Sequence, residues 1–191
     1  RPPRRVGGVA YSYQSLVVHG FNFRERAGRR GDETGLTAAA QRLMMRATVE
    51  AGARLHVGFG NLSLAHERLY GGVGLSLAEP RVRLSAVPTE GVRCTTGEGV
   101  AEAATAVVRD HATTACDLLG VSGAEVQVER ALPRHVGLGS GTATALTALT
   151  AIARAHGHEP RPRERAPAMG RGGRSAVGVA VFERGGFVLD A

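Results

Sequence analysis

Residues 133–157 constrain this chain more than any other stretch. Pro133-Arg134-His135-Val136-Gly137-Leu138-Gly139-Ser140-Gly141-Thr142 is a glycine-rich loop ending in hydroxyls, and small and aliphatic residues follow it without a break. Leu146, Leu149 and Ile152 recur at helical spacing while alanine and threonine cover the other faces. This pattern predicts a helix over 141–156 that packs closely on several sides and stops at Gly157. A glycine loop opening into a helix N-terminus gathers unpaired backbone N–H groups and the positive end of the helix dipole at one point. Such a point suits an anion, and the element reads as a phosphate or pyrophosphate site.

The chain of 191 residues, 43% hydrophobic, has enough apolar matter for one well-cored domain. No apolar run reaches the ~18–20 residues needed to span a bilayer, and no signal-peptide pattern opens the chain, so a cytoplasmic protein that does not engage a membrane is expected. The net charge of +7 points toward nucleic acid, but its distribution argues the other way. All 24 basic residues are arginine, and the charge is +5 over residues 1–44 and only +2 over residues 45–191. Cys94 and Cys116 show no Cys-x-x-Cys spacing and read as two reduced thiols. The seven histidines are scattered, with no pair spaced to hold a metal.

Two segments divide the chain. Residues 1–44 carry arginine and glycine clusters and read as a poorly ordered basic extension, or as upstream DNA translated in frame with Met44 or Met45 as the start. Residues 45–191 are regular. Residues 53–59 alternate, which predicts a strand with Leu55, Val57 and Phe59 inward and Arg54, His56 and Gly58 outward. A loop with Asn61, Ser63 and His66 leads to a turn at Tyr70, Gly71, Gly72 and Gly74 and a short strand near Leu75. Residues 80–88, bounded by Pro80 and Pro88, read as an edge strand with Val82, Leu84 and Ala86 inward. Thr95-Thr96-Gly97-Glu98 predicts a capping box for a helix whose apolar stripe runs through Val100, Ala104, Val107, Val108, His111, Ala115, Leu118 and Leu119 to a stop at Gly120. Residues 124–130 return to strand periodicity and feed the glycine loop. A proline- and arginine-rich connector then leads to a second glycine cluster, Gly170-Arg171-Gly172-Gly173, and to a final strand from Phe187 to Asp190.

Pro133, Gly137, Leu138, Gly139 and Ser140 together resemble the second signature of the GHMP superfamily, named for galactokinase, homoserine, mevalonate and phosphomevalonate kinases. The fuller string through Thr142 is most similar to the beta-ribofuranosylaminobenzene 5'-phosphate synthase family within it. Ala53-Arg54-Leu55-His56-Val57-Gly58 with Tyr70-Gly71-Gly72-Val73-Gly74-Leu75, and residues 170–178 with Phe182-Glu183-x-Gly185-Gly186-Phe187, match the same family in the same order. The resemblance implies an α+β domain similar to ribosomal protein S5 domain 2. It also implies a second, ferredoxin-like domain that this chain would lack. The implied reaction condenses phosphoribosyl pyrophosphate with a 4-substituted benzoate, releasing pyrophosphate and carbon dioxide in the biosynthesis of a tetrahydromethanopterin-type cofactor. Several positions depart from the patterns. The kinases carry a second serine where Gly141 stands and an aspartate where Val179 stands, which favours a synthase over an ATP-dependent kinase. Ala143 and Arg174 stand where the synthases carry glutamine and threonine.

These readings select the site residues. Gly137, Leu138, Gly139, Ser140, Gly141 and Thr142 form the anion loop, with Ser140 and Thr142 as candidate ligands of Mg²⁺. Arg171 is a candidate second anion contact, against the plainer reading of a solvated loop arginine. His56, Arg134 and His135 are the candidate catalytic side chains; each is also readable as a structural or solvent-facing residue. His111, on the apolar stripe of a core helix, reads as structural. Phosphoribosyl pyrophosphate and an aromatic acid, or ATP, are the expected partners, with homodimerisation as the expected assembly. A noncatalytic RNA-binding module is the alternative from another class, disfavoured by the near-neutral body.

Overall fold

The computed structural model describes residues 45–60, 71–173 and 176–190. The extension over 1–44, the loop with Asn61, Ser63 and His66, and Tyr70, Arg174 and Ser175 lie outside the described residues, as does the side chain of Phe59. The architecture is mixed, in line with the α+β expectation. Five strands form one sheet: β1 (Ala47–Gly60), β2 (Gly71–Pro88), β3 (Gly91–Thr96), β4 (Gly123–Arg130) and β5 (Phe187–Asp190). They are accompanied by helices α1 (Ala103–Leu119), α2 (Ser140–Ala155), α3 (Pro162–Arg165) and α4 (Val177–Arg184). Strand order is β1-β2-β4-β3, with β5 pairing β2. All pairings are antiparallel except β3 with β4, which the α1 crossover makes parallel. Among the described residues no helix is long and apolar enough to cross a membrane.

Helix α2 is the centre of the core, as its composition predicts. Leu146, Leu149 and Ile152 are fully buried, and Ala145, Ala148 and Ala151 are equally so. Each of the three large side chains contributes about 1.5–3 kcal/mol through burial, and the alanines let sheet and helices approach closely. The buried Thr147 hydroxyl donates to the Ala143 carbonyl at 2.7 Å, which satisfies it within the helix. Val82, Leu84 and Ala86 of β2 and Val126 and Val128 of β4 complete the layer beneath.

Several sequence expectations give way to tertiary context. Residues 80–88 are no edge strand: they are the second half of β2, paired with β1 on one side and β4 on the other. The glycines at 71, 72 and 74 make no turn but open the same strand, which β1 and β5 flank. A Cβ on Gly74 would run into the Val177 side chain, and one on Gly72 would lie 2.9 Å from His56 Nε2. These glycines serve close approach. Thr95 and Thr96 end β3 rather than capping a helix, and α1 starts at Ala103 after Glu102, which makes no side-chain cap. The capping-box pattern lost to the parallel ladder with β4.

The faces of β1 are also exchanged relative to the expectation. Val49, Ala51 and Ala53 are buried, but Leu55 and Val57 are exposed, at 43% and 63%. The register with β2 shifts between Gly52 and Arg54 and again between His56 and Gly58. A shift in the ladder re-aims every following side chain. Leu55, Leu75 and Phe187 are therefore register partners in an exposed apolar row, while Arg54 turns toward the glycine loop.

Candidate active site

The loop between β4 and α2 is held at its end by one bond to β1. The Arg54 amide donates to the Leu138 carbonyl at 3.0 Å, and the Gly139 carbonyl then accepts from the Thr142 and Ala143 amides to start the helix. Gly137 and Gly139 have φ of 81° and 69°, and Gly139 is the N-cap with no side-chain cap bond. Glycine is required at 139 on two counts. Its φ is left-handed, and a Cβ there would lie 2.6 Å from Arg54 Cγ. The N–H groups of residues 137–141 make no backbone hydrogen bond among the described residues, as is usual for the orphan donors of a helix start.

Beside this turn lies a cleft of about 480 Å³ between α1, β4 and the loop. Its wall includes Arg134, His135, Gly137, Gly139, Ser140 and Gly141, and Arg171 enters from the second glycine cluster. The floor is apolar, built from Val82, Val107, Val108, Val128 and Leu132. Arg171 is placed by its backbone: its amide donates to the Ala166 carbonyl at 2.8 Å after Gly170 turns the chain with φ 69°. Its guanidinium lies over Gly141, where a Cβ would come within 3.2 Å of Nη1. Nη2 donates to His111 Nε2 at 3.3 Å, while Nε is buried with no hydrogen-bond partner among the described residues.

The cleft brings together only part of the expected set. Arg134, His135, Ser140 and Arg171 share it; both Arg134 and His135 are solvent-exposed, and His135 sits at φ 60°. Thr142 does not line it. Its side chain turns to the opposite flank of α2, where a Cβ on Gly178 would meet it at 3.2 Å; Thr144, one turn on from Ser140, lines the cleft instead. His56 also lies on that other flank, against Gly72, where burial and then the Arg54 charge lower its pKa. Arg54 packs against Gly139 and Gly178 with its Nε buried and unbonded among the described residues. Desolvation holds its pKa below the usual arginine value.

His111 departs most from expectation. It is half-buried and points into the cleft rather than into the core, whose α1 contribution is Val108, Ala112, Ala115 and Cys116. Burial, then the Arg171 charge, pushes its pKa down to about 4; Arg134 adds to the fall and Asp110 opposes it. Its position at the edge of the apolar stripe, three residues after Val108, was the available signal. Among the described residues no three His, Cys, Asp or Glu side chains cluster to hold a metal ion.

Comparison with known proteins places these features in context. The family described as the GHMP kinases N terminal domain matches residues 100–186. The chain is similar to the beta-ribofuranosylphenol 5'-phosphate synthase of Archaeoglobus fulgidus, 36% identical over 138 residues, which are 72% of this chain and 42% of that protein. The synthase of the same name from Methanocaldococcus jannaschii is 29% identical over 150 residues, 74% of this chain and 46% of that protein. The chain thus spans less than half the length of these curated relatives. The crystal structure of 4-(cytidine 5'-diphospho)-2C-methyl-D-erythritol kinase superposes with a TM-score of 0.52 at 18% identity, covering 74% of this chain and 51% of that one. That likeness is one of fold.

Proposed function

We propose, on the premise that this chain is a member of the GHMP superfamily, whose N-terminal domain family matches residues 100–186, that it is part of a C-riboside-forming synthase. The substrates of this reading are phosphoribosyl pyrophosphate and a 4-substituted benzoate. The observation that carries it is the composition of one cleft, which the glycine loop, Arg134 and Arg171 line together with valines and Leu132. A pyrophosphate suits the wall and an aromatic ring suits the floor, in a volume within the small-molecule range. The names of the curated relatives point to the same product class.

In this reading the bond from the ribose anomeric carbon to the pyrophosphate oxygen breaks with its electron pair leaving on pyrophosphate. The ring carbon that bears the carboxylate forms the new carbon–carbon bond. The bond to the carboxylate then breaks, its pair restores the aromatic ring, and carbon dioxide leaves. Arg134, Arg171 and the loop amides balance the charge that grows on the departing pyrophosphate, and the valine and leucine lining orients the ring. No protein base is needed for these steps, in keeping with the absence of a carboxylate at buried Val179.

Mg²⁺ fits this site as an ion carried by the pyrophosphate, since it takes few protein ligands when phosphates supply the rest. The Ser140 and Thr144 hydroxyls and the Asp110 carboxylate are the side-chain oxygen donors of the lining suited to it. When bound, the ion would neutralise pyrophosphate charge. Homodimerisation and a cytoplasmic setting belong to the same reading, and sedimentation at two protein concentrations tests the first.

An ATP-dependent kinase is the second reading, favoured by the family description alone. The experiment is release of labelled carbon dioxide from carboxyl-labelled 4-hydroxybenzoate and 4-aminobenzoate by the protein containing this chain. Release that requires phosphoribosyl pyrophosphate supports the synthase. ATP consumption with a metabolite panel, and no release, replaces it with the kinase.

A further inference from the structure

The hydrogen bond between Arg171 and His111 fixes more than its own geometry. Arginine has donors and no acceptor, so the Nε2 atom facing Nη2 at 3.3 Å must present its lone pair. The imidazole is therefore neutral with its proton on Nδ1. The charged groups around it are Arg171 and Arg134, which oppose its protonation, and Asp110, which favours it. With its lone pair engaged by a guanidinium, His111 is not free to take a proton from a substrate.

We propose that His111 is a positioning residue: as a neutral acceptor it holds the Arg171 guanidinium over Gly141, so that the donors not engaged by His111 face the anion site at the start of α2. This rests on the anion-binding reading of the cleft. Three observations converge on it. The guanidinium lies close enough to Gly141 that a Cβ would meet Nη1 at 3.2 Å, so the glycine leaves room for this approach. Arg171 Nε is buried without a hydrogen-bond partner among the described residues, so no acceptor holds the guanidinium from that side and the His111 contact is what fixes it. His111 and Arg171 come from segments 60 residues apart and meet only in this cleft. A flexible arginine loses side-chain freedom when it clamps an anion, and an acceptor that holds it beforehand reduces that cost. The ligand class is a polyphosphate or pyrophosphate group, for which a forked guanidinium is the suited donor.

The test is calorimetric titration of sodium pyrophosphate, and separately of ATP, into the protein containing this chain at pH 7.5. The variants are H111Q, H111N, H111L, R171A and the double variant R171A/H111L, each checked by circular dichroism and thermal melting. Glutamine places an oxygen near the Nε2 position, while asparagine falls short of it and leucine offers no acceptor. H111Q should bind pyrophosphate within about threefold of wild type, and H111L and H111N about tenfold more weakly, the loss of one charge-assisted contact. The double variant should bind no more weakly than R171A alone, because His111 acts through Arg171. If H111L does not fold, the H111Q and H111N pair carries the comparison.

Equal binding by wild type, H111N and H111L overturns the proposal. So does H111Q binding as weakly as H111N, or losses that multiply in the double variant. A wild-type protein that binds neither anion refutes the anion site and this inference with it. The same variant pattern on pyrophosphate in a protein that releases no carbon dioxide sustains the positioning role while the synthase reading fails.

Discussion

Gly139→Ala tests the geometry on which the site depends, and Gly137→Ala is its natural control. Both glycines are left-handed, at φ 69° and 81°, so alanine at either costs about 1–2 kcal/mol of backbone strain. They differ in what surrounds them. Nothing lies within 4 Å of a Cβ at 137, whereas at 139 it would meet Arg54 Cγ at 2.6 Å and Nε at 3.0 Å. Cγ is in the middle of the side chain, so Arg54 must change rotamer rather than bend its tip, which adds about 1 kcal/mol. At about 3 °C per kcal/mol for a domain of this size, Gly137→Ala should lower the melting temperature by about 3–6 °C and Gly139→Ala by about 6–9 °C. Adding Arg54→Ala to Gly139→Ala removes the collision. The double-mutant cycle, read by urea or thermal unfolding, should therefore show a favourable coupling of about 1 kcal/mol. Equal losses at 137 and 139, with no coupling to Arg54, would refute the placement of Arg54 behind the loop.

The remaining predictions concern titration, thiols and the core. His111 has a folded pKa of about 4 against an ordinary 6.5, so the unfolded chain takes up a proton that the folded one refuses as pH falls through that window. Wild type should therefore lose stability more steeply than H111Q between pH 6.5 and 4; parallel melting-temperature profiles would exclude the shift. Cys116 is buried, and burial with the neighbouring Asp117 charge raises its thiol to about 11, while burial also raises Cys94. Both should react slowly with a thiol reagent at pH 7 and at once in denaturant, and a fast native phase from Cys116 would contradict its burial. Leu149→Ala should cost about 2–5 kcal/mol in chemical unfolding, because the side chain is fully buried in the helix around which the core is built; a loss below about 1 kcal/mol would show that α2 is not central.

Local pattern was informative wherever one element decided its own burial. Residues 141–156 read as a central helix because no face of it was polar, and residues 124–130 read as a strand because β4 alternates without interruption. The pattern misled where a neighbour decided. In β1 the alternation continues in the sequence past Ala53, but the register with β2 shifts, so the apolar set of Leu55 and Val57 faces out and Arg54 approaches the loop. Periodicity cannot reveal a shift that depends on the pairing partner. Glycine at 72 and 74 carried the same ambiguity, since close packing against His56 and Val177 asks for the same residue as a turn does.

The candidate site shows why this matters for function. The loop is contiguous in sequence, so its glycines and Ser140 could be named from the chain alone. The cleft is not contiguous: it joins α1, the loop and the cluster near residue 171, and only folding brings His111 to Arg171. A histidine three residues from Val108 looks like part of a helix stripe, yet the core of α1 rotates onto Ala112, Ala115 and Cys116 and leaves His111 at the edge. Thr142 failed in the complementary way. Two residues along a helix turn a side chain by about 200°, so adjacent hydroxyls at 140 and 142 cannot both face one cleft, and Thr144 takes the place beside Ser140. That rotation follows from helix geometry alone once the helix start is fixed at Ser140. The start is set by Gly139, whose left-handed turn ends the loop and whose missing Cβ makes room for Arg54, so one glycine determines which hydroxyls can reach the cleft.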